Sequence, residues 1–141
     1  MASAFASVQG DPATPSIDAS STIHVMVSSQ LANNMQEYVL DEGQLLAVGS
    51  AYTPTPEQLQ ITAGSLLQGA TLLVYRVALT NTSFQVRAAR RALASDAFVI
   101  DDATPVLLQA SADLDTPVLS DDCSTLYYAD LSEVTFAFAT Q

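Results

Sequence analysis

Three of the four basic side chains in this sequence lie within a stretch of five residues. They are Arg87, Arg90 and Arg91 in SFQVRAARRALAS, and the chain has no lysine but fifteen acidic residues. The planar guanidinium group can bind a carboxylate through two parallel hydrogen bonds, and arginine is enriched at protein interfaces from which lysine is depleted. We therefore predict that these arginines pair with aspartates, either of this chain or of a neighbouring copy, and that they are candidate interface residues.

The acidic residues are concentrated toward the end of the chain. Nine of the fifteen lie after residue 91, where there is no basic residue. The candidates for calcium ligands in predicted loops are Asp113, Asp115, Asp121 and Asp122. Calcium takes about six to eight oxygen ligands, and none of these loops matches the D-x-[DN]-x-[DN]-G pattern. The favoured interpretation is a solvated acidic rim that keeps strand edges from pairing indiscriminately, and no metal or other cofactor is predicted.

Few residues in this chain are suited to acid–base or nucleophilic catalysis. His24 is the single histidine and Cys123 the single cysteine. A lone histidine in a strand is more often a surface or hydrogen-bonded side chain than a catalyst. The sequence contains no glycine-rich phosphate loop, serine nucleophile elbow, HExxH helix or CxxC pair. We predict that the protein is not an enzyme, with a carboxylate-only hydrolase as the least favoured alternative.

The overall charge restricts the partners. A net charge of −11 disfavours nucleic acid and anionic membrane surfaces, because both are bound through clustered Lys and Arg. No window approaches the ~18 uninterrupted apolar residues of a membrane span, and the start of the chain lacks the basic and apolar regions of a secretory signal. The chain is expected to be soluble.

The hydrophobic pattern along most of the chain has period two. TIHVMVS, TLLVYRVAL and SFQVRAA are typical strands, and residues 41–44 form a plausible hairpin turn in which Gly43 supplies a positive φ. A second hairpin is predicted across residues 130–132, with Val134, Phe136 and Phe138 on one face of its second strand. About eight short strands separated by turn signals predict a mainly β fold, an antiparallel β-sandwich or barrel-like domain with at most one or two short helices.

The two segments in which a short helix is possible are residues 29–36 and 87–95. RAARRALA contains only good helix formers, which favours a helix that carries Arg87, Arg90 and Arg91 on one face. If this segment is extended instead, Arg87 and Arg91 share a face and Arg90 lies on the other.

Residues 1–21 are predicted to form an extended N-terminal arm, followed by a single β-rich domain over residues 22–141. The arm is rich in Ala, Ser and Pro, with a few isolated apolar residues, Phe5, Val8 and Ile17. One interpretation is a frayed terminus. The other is an arm that becomes ordered against a neighbouring subunit, with these three residues as interface contacts.

In general character the sequence resembles the small β-structured decoration (cement) proteins of tailed-bacteriophage heads. The resemblance lies in the arm MASAFASVQGDPATPSIDASS and in glycine-punctuated strands such as YVLDEGQLLAVGSAY. It implies a non-enzymatic structural protein of the virion that forms dimers or trimers, binds the major capsid protein and stabilises the capsid lattice. No motif allows a functional residue to be carried over from that family.

A second function class fits the same composition. An extracellular β-sandwich module for binding or adhesion would contact carbohydrate or protein through exposed aromatic side chains. Tyr52, Tyr127 and Tyr128 are the candidates, with Ca²⁺ in the aspartate loops as a possible addition.

Overall fold

The computed structural model describes residues 10–111 and 114–130, together with the backbone of residues 135–140. These residues contain twelve β-strands and no helix. None of them therefore forms a helix long and apolar enough to cross a membrane. The strands are β1 (Asp11–Pro12), β2 (Ser16–Ile17), β3 (Ile23–Ser29), β4 (Asn34–Asp41), β5 (Gln44–Tyr52), β6 (Gln60–Leu67), β7 (Leu72–Thr80), β8 (Ser83–Arg90), β9 (Val106–Ala110), β10 (Leu114–Leu119), β11 (Thr125–Asp130) and β12 (Thr135–Thr140).

The first five strands form the N-terminal sheet, in which β3, β4 and β5 follow one another as antiparallel neighbours and β1 and β2 both pair with β3. The predicted hairpin turn joins β4 to β5, and Glu42 and Gly43 have φ values of 46° and 79°. Two positive φ values in a two-residue loop are typical of a type I′ turn, so this prediction is confirmed. Residues 29–36 contain a turn that leads into β4, so the short helix considered there is wrong.

The central sheet consists of β6, β7, β8 and β9 in sequence order, all antiparallel. The short helix expected at 87–95 is wrong, because β8 remains extended through Arg90. Its backbone is paired along its length, with Arg87 opposite Tyr75 and Arg90 opposite Leu72. The ladder and the burial of β8 outweigh the modest helix propensity of alanine and arginine in this segment.

The C-terminal sheet consists of β10, β11 and β12. The predicted second hairpin is present as an antiparallel pair, in which Asp130 lies opposite Thr135. The connecting residues 131–134 lie outside the described residues, as do the side chains of Phe136 and Phe138.

The central sheet packs on both of its faces. Leu73, Tyr75 and Val77 of β7 lie in one apolar cluster with Met26 and Met35 of the N-terminal sheet. The alternate residues Leu72 and Val74 lie in a second cluster with residues of the C-terminal sheet, namely Leu114, Leu119 and Leu126. A strand buried on both faces is almost continuously apolar, which accounts for the run LLVYRVAL. The fold is mainly β and sandwich-like, as predicted, and the sheets are not closed into a barrel.

The described part of the predicted arm lies along the N-terminal sheet of its own chain. The amide of Ala13 donates to the carbonyl of Met26 at 2.8 Å, and Thr14 forms an isolated bridge with Ser65 of the central sheet. Residues 11–17 thus extend the edge of the sheet beside β3. Phe5 and Val8 lie outside the described residues.

Candidate functional site

The three clustered arginines do not form one patch. Because β8 is extended, Gln85, Arg87 and Ala89 point toward the N-terminal sheet, whereas Arg90 points toward the C-terminal sheet. Arg91, directly after the strand, lies on the same side as Arg87. This is the extended arrangement considered from the sequence, and it separates the charges.

Arg87 is buried among neutral oxygen atoms. Its Nε and Nη2 donate to Gln85 Oε1 at 3.0 and 2.7 Å, and its Nη1 donates to the backbone carbonyl of Asp101 at 2.9 Å. A buried guanidinium group with these intrachain partners is not presented to a neighbouring molecule. Its role is to join β8 to the loop before β9.

Arg90 is the exposed member of the three. Its Nη1 donates to Gln68 Oε1 at 2.9 Å, and its Nη2 lies 3.8 Å from Cys123 Sγ. These contacts place Arg90 at the boundary between the central and C-terminal sheets. The predicted interface role stays a prediction for Arg90, since its side chain reaches the surface.

Arg91 forms a buried ion pair with a glutamate rather than with an aspartate. Its Nη1 and Nη2 donate to Glu37 Oε2 and Oε1 at 2.7 and 2.6 Å, the two parallel bonds that a guanidinium group makes with a carboxylate. Its Nε donates to the carbonyl of Ala70, and the guanidinium carbon lies 4.1 Å from the centre of the Phe98 ring. The predicted pairing of Arg91 with acid therefore occurs within this chain.

His24 extends this ion pair into a network of four charged or titratable side chains. Its Nδ1 lies 2.7 Å from Glu37 Oε1, and its Nε2 lies 2.8 Å from Asp18 Oδ2. His24 and Glu37 are almost completely buried, and the Asp18 side chain is partly exposed. The lone histidine is thus a hydrogen-bonded side chain in the interior, one of the alternatives that the sequence analysis favoured.

Asp18 also fixes the turn that leads into β3. Its Oδ1 accepts hydrogen bonds from the amides of Ser20 and Thr22 at 2.8 and 2.9 Å, and Ser21 has a φ of 65°. The hydrogen bond with His24, followed by the bond from the Thr22 amide, lowers the pKa of the Asp18 carboxyl below its ordinary value of 3.8. The carboxylate therefore joins the end of the N-terminal segment to the interior of the sheet.

Sequence reasoning did not single out Glu37 or Asp18. A signal for Glu37 exists, because it lies two residues after Met35 in β4 and so shares the face of a buried methionine. An acid at a core-facing position requires a buried cation. That cation is Arg91, which lies fifty-four positions away along the chain. A single sequence does not show that two residues so far apart are in contact.

The outer face of the N-terminal sheet carries an apolar groove of about 450 Å³. Its floor includes Val25 and Val27 of β3, which belong to neither core cluster although the side chains between them, such as Met26, do. One wall is the N-terminal segment and the other is the β4–β5 hairpin. The lining residues are Gly10, Pro12, Ala13, Pro15, Ile23, Val25, Val27, Leu40 and Leu45.

Gly10 is part of the lining of the groove. It has a φ of 138° and packs so closely on Ser28 that a β-carbon would overlap the Ser28 carbonyl oxygen. Ile17, the predicted contact residue within the described arm, is 61% exposed. An exposed isoleucine beside an apolar groove adds to the apolar surface at this side of the molecule.

The tyrosines predicted for a binding module differ in exposure. Tyr52 is partly buried: its ring packs edge-on against Phe98, and its hydroxyl accepts a hydrogen bond from the Phe98 amide at 3.0 Å. Tyr128 packs against the cluster beneath the C-terminal sheet, and Tyr127 is half exposed. The three tyrosines therefore do not form a common aromatic surface.

The candidate calcium ligands are not gathered into a site within the described part of the chain. Asp115 accepts a hydrogen bond from the Thr116 amide, and Asp122 Oδ1 accepts bonds from the hydroxyls of Ser120 and Ser124 at 2.6 and 2.7 Å. Asp121 is exposed, and Asp113 lies outside the described residues. Residues 10–111, 114–130 and 135–140 contain no group of three or more His, Cys, Asp or Glu side chains arranged to hold a metal ion.

Comparison of the chain with protein-family models, with curated proteins and with solved structures found no match. The apolar groove and the buried network are therefore interpreted from their own geometry.

Proposed function

We propose that this protein is a non-enzymatic structural protein that assembles with copies of itself on a protein lattice, as the resemblance to capsid decoration proteins implies. The observation that carries the proposal is the apolar groove on the outer face of the N-terminal sheet. The groove is lined by apolar side chains, of which Val25 and Val27 at its floor are buried, and concave apolar surfaces are typical of binding sites. In this proposal the protein belongs to a virion and its lattice partner is a major capsid protein.

The proposed occupant of the groove is the N-terminal segment of a neighbouring copy, residues 1–9. This segment contains Phe5 and Val8, whose apolar side chains match the lining of the groove. In the register of β1 on β3, Asp11 lies opposite Ser28, at the end of the groove remote from Ile23. Nine residues span up to about 30 Å when extended, enough to reach an adjacent molecule and lie along β3.

A second feature supports assembly at this side of the molecule. The strand β5 is the edge of the N-terminal sheet, is nine residues long, and contains neither a charged residue nor a proline. Soluble proteins usually protect such an edge with charge, proline or a covering segment. An adjacent copy seated on the groove, one wall of which is the β4–β5 hairpin, would supply that cover.

The first test measures the mass of the full chain by light scattering at several protein and salt concentrations. We expect a multiple of the 14.9 kDa chain mass. Added salt should favour the assembled state, because it screens the repulsion between copies that each carry a net charge of −11. Arginine–carboxylate pairs between copies would give the opposite salt dependence. A chain that stays monomeric at high concentration would overturn the proposal.

The second test places a charge in the groove. Leu45→Glu should reduce the assembly to monomers, whereas Leu93→Glu, at an exposed leucine outside the groove, should leave it intact. Phe5 replaced by the photo-crosslinker p-benzoylphenylalanine should give a product with the mass of two chains. A cross-link confined to one chain would show that the segment fills its own groove, and would contradict exchange between copies.

A further inference from the structure

We propose that His24 is an imidazolium ion, and that its second proton holds residues 10–18 on the N-terminal sheet. The two ring nitrogens lie 2.8 and 2.7 Å from carboxylate oxygens of Asp18 and Glu37. Ionised carboxylates accept hydrogen bonds and cannot donate them, so both nitrogens must carry hydrogen. A neutral imidazole donates from one nitrogen and leaves the other facing an oxygen with no hydrogen between them.

The charges of the network support the same assignment. Asp18 and Glu37 carry two negative charges, and Arg91 together with an imidazolium at His24 carries two positive ones. The network is then neutral, which is what burial of ionised groups requires. Removing one proton from His24 leaves an uncompensated negative charge at a largely buried site.

The groups that face His24 come from each neighbouring element. Asp18 lies in the turn between β2 and β3, Glu37 projects from β4, and Arg91 follows β8. Tyr52 of β5 lies near Glu37, and burial is the main cause that raises its pKa above the ordinary value of 10.0. Of these groups, Asp18 depends most on the imidazolium, because Glu37 keeps both hydrogen bonds from Arg91.

The bond to Asp18 anchors one end of the N-terminal segment, in addition to the backbone pairing of β1 and β2 with β3. Asp18 directly follows β2, and the segment before it supplies one wall of the groove through Pro12, Ala13 and Pro15. Loss of the imidazolium proton as the pH rises should release Asp18, loosen this segment and open that wall. The consequence for assembly rests on the proposed function, whereas the effect on the segment does not.

The protonation state can be read directly, since His24 is the sole histidine in the chain. Nitrogen-15 NMR of the full chain at about pH 8, where an unpaired imidazole carries hydrogen on one ring nitrogen, should show hydrogen on both. On raising the pH, loss of the second ring proton should coincide with faster exchange of the Ala13 amide, which bonds to Met26 in the docked segment. The exchange rates are corrected for their intrinsic pH dependence. A single protonated nitrogen at about pH 8, or Ala13 exchange indifferent to loss of the second ring proton, would overturn the proposal.

Two variants test the consequence of the contact. Asp18→Asn keeps the size of the side chain but removes its charge, and should speed Ala13 exchange by about tenfold. His24→Gln should do the same and abolish the pH dependence. Asp122→Asn is the matched control. Like Asp18, Asp122 accepts a hydrogen bond from a backbone amide in a turn, but its turn belongs to the C-terminal sheet. Equal effects of Asp18→Asn and Asp122→Asn would contradict the proposal. Exchange is measured on dilute protein, so the result stands whether or not the chain assembles.

Discussion

The two faces of the N-terminal sheet differ in chemistry and in what covers them. On the inner face, His24 and Glu37 lie in the interior beside Met26, and their charges are matched by Arg91. On the outer face, the buried Val25 and neighbouring apolar side chains line a groove. The usual arrangement of an antiparallel sheet places apolar residues inward and polar ones outward. Here specific ion pairs hold the inner face to the core, whereas the outer face carries the apolar groove.

The largest predicted effect comes from breaking the inner network. Glu37→Gln preserves the shape of the side chain but leaves Arg91 buried without its carboxylate. Breaking a buried ion pair on one side typically costs about 3–5 kcal/mol, so the free energy of unfolding should fall by that amount in chemical denaturation. Glu42→Gln, at an exposed acid in the turn of the same sheet, should change it by less than about 0.5 kcal/mol. Similar losses for both variants would show that the inner face is not held by this pair.

An intermediate effect is expected where the N-terminal segment meets β3. Gly10→Ala places a β-carbon against the Ser28 carbonyl oxygen in a backbone conformation that favours glycine, which should cost about 1–3 kcal/mol. Gly43→Ala introduces strain at a φ of 79° but meets no atom within 4 Å, and should cost only about 1 kcal/mol. Chemical denaturation of the two variants compares them directly. A Gly10 variant as stable as the Gly43 variant would mean that the backbone at Gly10 or Ser28 can move to make room for the β-carbon.

The smallest effect is expected at Asp122, a carboxylate that contacts neither face of the N-terminal sheet. Hydrogen bonds from the hydroxyls of Ser120 and Ser124 lower the pKa of Asp122 from 3.8 to about 2. Because the folded-state pKa is depressed, the stabilisation is complete above about pH 3.8 and is lost as the pH falls toward 2. Ser124→Ala should raise the pKa of Asp122 toward 3.8, as followed by NMR titration of its carboxyl group. An unchanged midpoint would show that the hydroxyl contact is unimportant.

The strands of this fold are predictable from local pattern, because alternation of side chains and turn residues such as Gly43 act over short distances. Which face of a strand points toward the core is harder to predict from the sequence. TIHVMVS alternates strictly, yet the face that carries Ile23, Val25 and Val27 is the outer one. That choice depends on Arg91 and Glu37, which meet only when two sheets pack together.

The segment after Val86 also shows that local sequence preference does not decide the structure by itself. RAARRALA has the local preferences of a helix, but Arg87 and Arg90 are held in a ladder with β7, and Arg91 is drawn inward by Glu37. Pairing with distant residues thus decided both the secondary structure and the partners of the arginine cluster. The sequence identified these side chains as unusual without showing that two of them are internal.

The order of the strands along the chain has a consequence for how the molecule is made. Each sheet is drawn from one continuous stretch, residues 11–52, 60–110 and 114–140, and the isolated bridge from Thr14 to Ser65 links the first two. Within a sheet, most ladders close between strands joined by a single short turn. Such local pairing lowers the contact order of an all-β chain, and low contact order favours rapid folding. During synthesis, the hydrogen bonds of each layer can therefore form as soon as its own segment has left the ribosome, before the layer that will cover it exists.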